Sequence, residues 1–188
     1  MNKKLFLLFL FTVYQVVAKQ PKVDPKHRYV MPAGIHNLLK GYSGEFRVEY
    51  FQWNSPELPP TTYMAKSTHK MILGGRFLQI KQVGMVMGVA QESVTTIGFN
   101  NYTKKFEVTS LNNSATGSLV LKGSWNQKKR TANLLGVLHH PKNKQKITVR
   151  HYINFVDSNT LVINCYNRVA DAPETKTAQF KFHRVIHD

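Results

Sequence analysis

The stretch Met71-Ile72-Leu73-Gly74-Gly75-Arg76-Phe77-Leu78 decides how this chain folds, because two apolar runs meet there at a pair of glycines. Glycine reaches positive φ without steric cost, and the two-residue primed turn that joins antiparallel strands needs such angles. The stretch therefore predicts a tight hairpin, with strands near 62–73 and 76–83.

Outward from it, the period of two continues. In Gly44 to Trp53, Phe46, Val48 and Tyr50 share one side while Glu45, Arg47 and Glu49 share the other, the pattern of a half-buried strand. Asn54 to Pro60 carries three prolines, which cannot donate to a ladder, and so predicts a loop. Gly84-Met85-Val86-Met87-Gly88 reads as a glycine-bounded apolar loop, either a methionine lid over a cavity or ordinary loop packing. Further strands are expected at 93–99, 106–111, 118–125, 132–138, 146–155, 161–168 and 177–184, separated by Asn-, Lys- and Ser-rich turns. Before all of them, Ile35, Leu38 and Leu39 recur at helical spacing between Pro32 and Gly41, which predicts one short helix.

The expected fold is thus all-β, an antiparallel meander of about ten strands with one short N-terminal helix. Closing the sheet removes both exposed edges and favours a barrel, with a sandwich as the other arrangement. A barrel of this strand number can enclose a small-molecule cavity.

Composition sets the surroundings. The chain has 188 residues, 42% of them apolar, which suits one globular domain and excludes a disordered chain. Residues 1–18 read as a signal peptide: Lys3 and Lys4 precede the apolar run Leu5 to Val17, and Val16-Val17-Ala18 ends in a small residue. A retained anchor is the competing reading, although a spanning helix wants about 20 apolar residues. The expected organisation is a signal peptide over 1–18, a flexible Pro- and Lys-containing leader over 19–31 and a single domain over 32–188, in an exported protein that is periplasmic or secreted. Loss of Lys3 and Lys4 lowers the formal charge from +16 to +14. Such a charge attracts anionic lipid or envelope polymer through terms that salt weakens. The lysines are scattered, so no site specific for nucleic acid is expected. Cys165 is the only cysteine, excludes an internal disulfide, and sits in an apolar strand where a thiol behaves as a small hydrophobe.

Gly44-Glu45-Phe46, Leu73-Gly74-Gly75-Arg76-Phe77, the run from Gly98 to Phe106 (Gly-Phe-Asn-Asn-Tyr-Thr-Lys-Lys-Phe) and Ile153-Asn154-Phe155-Val156-Asp157 together resemble the exported family known as domain of unknown function 1579, from about His36 to Arg184. The resemblance implies a closed barrel of the lipocalin-like and fatty-acid-binding-like kind around a cavity, and no defined activity. Phe46 stands where such barrels commonly carry Trp, and Phe99-Asn100 where the family often has Tyr-Asp.

No catalytic set emerges: there is no Ser-His-Asp arrangement, no paired carboxylates and no phosphate loop, since no helix follows Gly74-Gly75. Arg150 and Tyr152 lie two apart on a strand and share a face, and an Arg with a phenol can grip a carboxylate. Fatty-acid-binding barrels are similar in using an Arg-X-Tyr pair for that purpose. Tyr166 and Arg168 repeat the spacing. The opposite phase stays open: Ile147, Val149, His151, Ile153 and Phe155 form the more apolar face, and if they point inward, Arg150 and Tyr152 face solvent and His151 becomes a candidate ligand for haem or a metal. His139 and His140 are adjacent and point apart on a strand, which disfavours their chelating one ion together.

Three functions follow as expectations. The first is a binder of a small apolar or amphipathic molecule, without cofactor or metal. The second is an enzyme of the same fold, an isomerase or a haem-dependent catalyst using His151 or His183. The third is a basic surface that docks on anionic envelope polymer or lipid.

Overall fold

Ten segments obey the period of two, and each finds its neighbour in sequence as its neighbour in space. The computed structural model describes residues 29–187, so the proposed signal peptide and most of the leader lie outside the described residues. A short helix, α1 (Ile35–Lys40), is followed by β1 (Gly44–Gln52), β2 (Thr61–Ile72), β3 (Phe77–Val86), β4 (Val89–Asn100), β5 (Lys105–Asn112), β6 (Leu119–Asn126), β7 (Thr131–His139), β8 (Lys146–Phe155), β9 (Thr160–Val169) and β10 (Thr175–Arg184). All pairs are antiparallel, and β1 pairs with β10 to close the barrel, with Phe46 opposite Arg184 and Gln52 opposite Ala178. The sandwich arrangement is thereby excluded.

Two turns differ from the sequence reading. Between β2 and β3 the connection is four residues rather than two: Leu73, Gly74 and Gly75 all take positive φ, the Gly75 and Arg76 amides donate to Ile72 O, and the Arg76 guanidinium donates to Leu73 O and Gly74 O. The expected loop 84–88 is instead the end of β3, with Val86 paired to Val89 and only Met87 and Gly88 in the turn, at φ 51° and 77°. That is the positive-φ pair a primed two-residue turn requires. The pleat carries on through Gly84 because its bare Cα sits against Ala65 Cβ on the neighbouring strand, leaving no room for a side chain.

The barrel has two unlike ends. At one, α1 lies across the opening with Leu39 and His36 buried beneath it. Tyr42, Phe99, Phe106, Trp125 and Phe155 fill the space inside, with successive ring centroids 5.2 to 5.6 Å apart. Stacks and edges of this kind add about 0.5–1.5 kcal/mol per pair to the burial itself. Arg184 fastens the helix to the sheet, donating from Nη1 to Ser43 O and from Nη2 to Gly41 O, each at 2.6 Å, and from Nε and Nη2 to Ser158 O. The Tyr42 hydroxyl donates to Asp157 O at 2.5 Å. Residues 29–31 are also tied to this end, since Asn101 Nδ2 donates to Tyr29 O and Met31 O and Arg76 Nη2 donates to Val30 O. Among the described residues the other end carries no helix and stays open.

Candidate functional site

The inward phase of each strand starts apolar at the helix end and turns polar toward the open end. Along β3 it runs Leu78, Ile80, Gln82; along β5, Phe106, Val108, Ser110, Asn112; along β1, Phe46, Val48, Tyr50, Gln52. Apolar side chains close-pack where they meet across the barrel, whereas short polar ones leave space and retain water contact. The result is a cavity of about 400 Å³ opening at the helix-free end. That size falls within the range of small-molecule sites. Its deep wall is Val108, Ile153, Ile163, Phe180 and Phe182, and its mouth is lined by Gln52, Gln82, Gln91, Ser93, Ser110 and Asn112.

His151 stands among the deep residues. Burial pushes its pKa down to about 4, so the imidazole is neutral at pH 7 and offers one donor and one acceptor. Tyr50 stacks on Phe180 with centroids 4.6 Å apart, its hydroxyl donates to Gln52 Oε1 at 3.1 Å, and burial raises the phenol's pKa, keeping it neutral too. Glu92 touches the rim, and its carboxylate is paired with Lys81 at 3.0 Å. Among the lining residues there is no lysine or arginine. The cavity therefore presents an apolar floor and a mouth of amides and hydroxyls, with the Lys81-paired Glu92 as its one charged lining residue.

The sequence-predicted ligand residues stand elsewhere. Because His151 and Ile153 face the cavity, the strand's alternation puts Arg150 and Tyr152 on the outer wall, and pairing with β8 puts Tyr166 and Arg168 there as well. The structure brings three of them together: Arg150 lies opposite Tyr166, its guanidinium is 5.9 Å from the Tyr152 ring centroid, and the two tyrosine rings meet edge to face at 5.8 Å. Arg150 Nε donates to the Glu174 carboxylate at 2.8 Å, the main cause of its raised pKa. Arg168 is exposed and stands apart, opposite Thr148. The correction is one of phase: an inward Arg150 would have placed Ile153 and Phe155 in solvent, and the barrel buries those instead.

Two reactive-looking groups also belong to the frame. Ser67 Oγ and His69 Nε2 are 3.0 Å apart, and His69 Nδ1 is 3.1 Å from Tyr42 O. A carbonyl only accepts, so Nδ1 carries the hydrogen and Nε2 accepts from Ser67, the tautomer of a nucleophile and its base. However, Ser67 and His69 are 4% and 2% exposed and neither lines the cavity, so the pair has no substrate access and serves to satisfy buried polar atoms. Cys165 is buried opposite His151, and desolvation pushes its thiol up to about 12, far from a nucleophilic thiolate. His183, the alternative haem residue, lies on the outer wall 3.9 Å from Glu49. Of the two, only His151 faces the space a cofactor could enter. Among the described residues no cluster of three His, Cys, Asp or Glu could hold a metal ion.

The polar lining escaped sequence reasoning because a glutamine facing a wet cavity and one facing bulk water give the same alternation. The available signal was phase: Gln82 continues the inward series of Leu78 and Ile80, and Ser110 that of Phe106 and Val108.

Comparison with known proteins agrees with this architecture. The family described as protein of unknown function, DUF1579, matches residues 31–184. Rv2717c from M. tuberculosis, in its crystal structure, is 14% identical, with a TM-score of 0.57 over 82% of this chain and 99% of that one, a likeness of fold alone. The S-type phycobiliprotein lyase CPES from Guillardia theta is 10% identical over 83% of this chain and 95% of that one, with a TM-score of 0.33, too low to carry an argument. No curated protein matches the chain.

Proposed function

Since the chain belongs to the DUF1579 family of proteins of unknown function, a membership that brings no chemistry with it, we propose from the cavity that the protein binds a small uncharged amphipathic molecule and carries out no reaction on it. One observation carries the reading: the open cavity of about 400 Å³ is apolar at its floor and lined at its mouth by amides and hydroxyls, with Glu92 its one charged residue and no cation among the lining residues to meet an acid group. An anionic headgroup would lose its hydration there without gaining a counter-charge, which disfavours a carboxylate ligand. A hydroxyl- or amide-bearing headgroup finds donors and acceptors at Gln52, Gln82 and Asn112, and His151 marks a single polar point deep in the apolar part. Export, read from residues 1–18, belongs to this proposal and places the ligand outside the cytoplasm.

Native mass spectrometry of protein purified from its own envelope tests for a bound molecule, and its mass reports whether the segment before residue 19 has been removed. For a defined probe, N-phenyl-1-naphthylamine, which is neutral, should bind with fluorescence enhancement, and cis-parinaric acid should bind at least about tenfold more weakly, a difference of roughly 1.4 kcal/mol. Ser110→Phe, which fills the mouth, should abolish probe binding while leaving the unfolding midpoint within about 1 kcal/mol of the parent. Preference for the acid would sink the uncharged-ligand reading. A Soret band on haem addition that His151→Ala removes would replace it with the cofactor reading, in which His151 would hold the haem.

A further inference from the structure

The two ends of the barrel differ in charge as well as in access. At the helix end, Leu73 stands at the tip of the β2–β3 turn and Tyr102 at the tip of the β4–β5 turn, 68% and 81% exposed. Around them lie Lys40, Lys104, Lys105, Lys128 and Lys129, all exposed and none in an ion pair with a described acid. The acids at this end are fewer than these five lysines: Glu45 is 3.4 Å from His187, and Asp157 accepts the Asn159 amide at 2.7 Å. At the mouth, by contrast, Lys142, Lys144 and Lys146 share the rim with Glu57 and Asp171. The chain also enters the fold at the helix end, where residues 29–31 are held, and the sequence just before them carries Lys19, Lys22, Lys26 and Arg28 against Asp24.

An apolar tip and a phenol flanked by unpaired lysines is the chemistry of a bilayer interface: the phenol ring suits the headgroup level, and ammonium groups gather lipid phosphates through a field that reaches about a Debye length. We propose that the helix end is a docking face for an anionic lipid bilayer, with Leu73 and Tyr102 seated among the headgroups, the lysines over the phosphates, and the ligand mouth turned toward the aqueous side. The orientation has a functional consequence. Ligand is then exchanged with the water phase or with a soluble partner, and does not pass directly from the membrane through the mouth. The proposal is independent of what the cavity binds, because no mouth residue takes part in it.

The test uses the full chain with a single dye-labelled cysteine, at Tyr102→Cys or at Met87→Cys; Cys165 is buried, so labelling falls on the introduced thiol. Met87 marks the opposite rim, 76% exposed. Each labelled protein is titrated with vesicles of phosphatidylcholine alone and of phosphatidylcholine with phosphatidylglycerol. The expected result is a blue shift at position 102 on the mixed vesicles and none at position 87. The combined Lys104→Glu, Lys105→Glu, Lys128→Glu and Lys129→Glu variant should lose at least about a hundredfold in partitioning to the mixed vesicles, since each lysine near such a surface contributes roughly fivefold. Probe binding at the mouth, unchanged in that variant, verifies its fold. A blue shift at position 87, partitioning indifferent to phosphatidylglycerol, or partitioning that survives the four reversals overturns the proposal.

Discussion

His69 and His151 are both kept neutral by burial, with pKa values lowered to about 4 from the usual 6.5. In the unfolded chain each takes up a proton near pH 6.5; in the fold neither does until about pH 4. Between those values the unfolded state binds more protons, so stability falls as pH drops through the window, by up to roughly 1.4 kcal/mol per pH unit per histidine, and is fully present above it. Urea denaturation measured across that range should show the loss, and His151→Gln should flatten the slope by about half. An equal slope in parent and variant would remove the assignment. At the same scale, the phase of β8 was legible: Ile147, Val149, Ile153 and Phe155 announced the inward face, and His151 travels with them. Arg150 and Tyr152 were attractive for their chemistry, yet chemistry does not set which way a strand faces. Burial of two large apolar side chains, each about 1.5–3 kcal/mol, does.

Strands, turns and helix raise a different question, that of what keeps neighbours attached. α1 has six residues, too short to persist alone, and its position depends on Leu39 beneath it and on Arg184 at its C-terminal side. Removal of Arg184 strands the carbonyls of Gly41, Ser43 and Ser158 together and uncovers the Phe46 ring, over which the guanidinium sits 4.8 Å from the centroid. Arg184→Ala should cost about 2–4 kcal/mol in urea unfolding, and Arg184→Lys should recover only part, because a single ammonium nitrogen cannot span three carbonyls that the guanidinium reaches from separate nitrogens. A cost below about 0.5 kcal/mol would show the clamp to be dispensable. The helix and the ten strands were readable from periodicity, and so were most turns. The exceptions have physical causes. Gly84 reads as a loop residue, but here its missing side chain is what lets β2 and β3 approach. Gly74-Gly75 suggests a two-residue turn, but Leu73 also adopts positive φ and Arg76 caps the freed carbonyls, which widens the connection to four residues.

At the scale of the whole molecule, nine of the ten ladders join strands consecutive in sequence and one, β1 with β10, joins the two extremes. Closure was expected from the need to hide edges, and the resemblance pointed the same way; the cavity's lining was not, because it depends on how ten inward phases converge. A chain ending before Thr175 keeps the eight hairpins from β1 to β9 but loses β10 and the hairpin it forms with β9, leaving β1 and β9 as bare edges. Such a truncation should form soluble oligomers or precipitate where the complete chain runs as a single smaller species in size-exclusion chromatography. A monodisperse, monomeric truncation would show that the seam is not what guards the edges. The seam also imposes an order in time. As the chain grows, strands can pair one after another, but β1 waits for a partner that lies more than a hundred residues downstream, and the loop that must close between Phe46 and Arg184 is the longest in the fold. Closure thus acts as a length check: only a polypeptide that has run through to Arg184 can leave the aggregation-prone, open-edged condition, so interrupted synthesis yields a product marked by its own unpaired edges for the proteases and chaperones that read them.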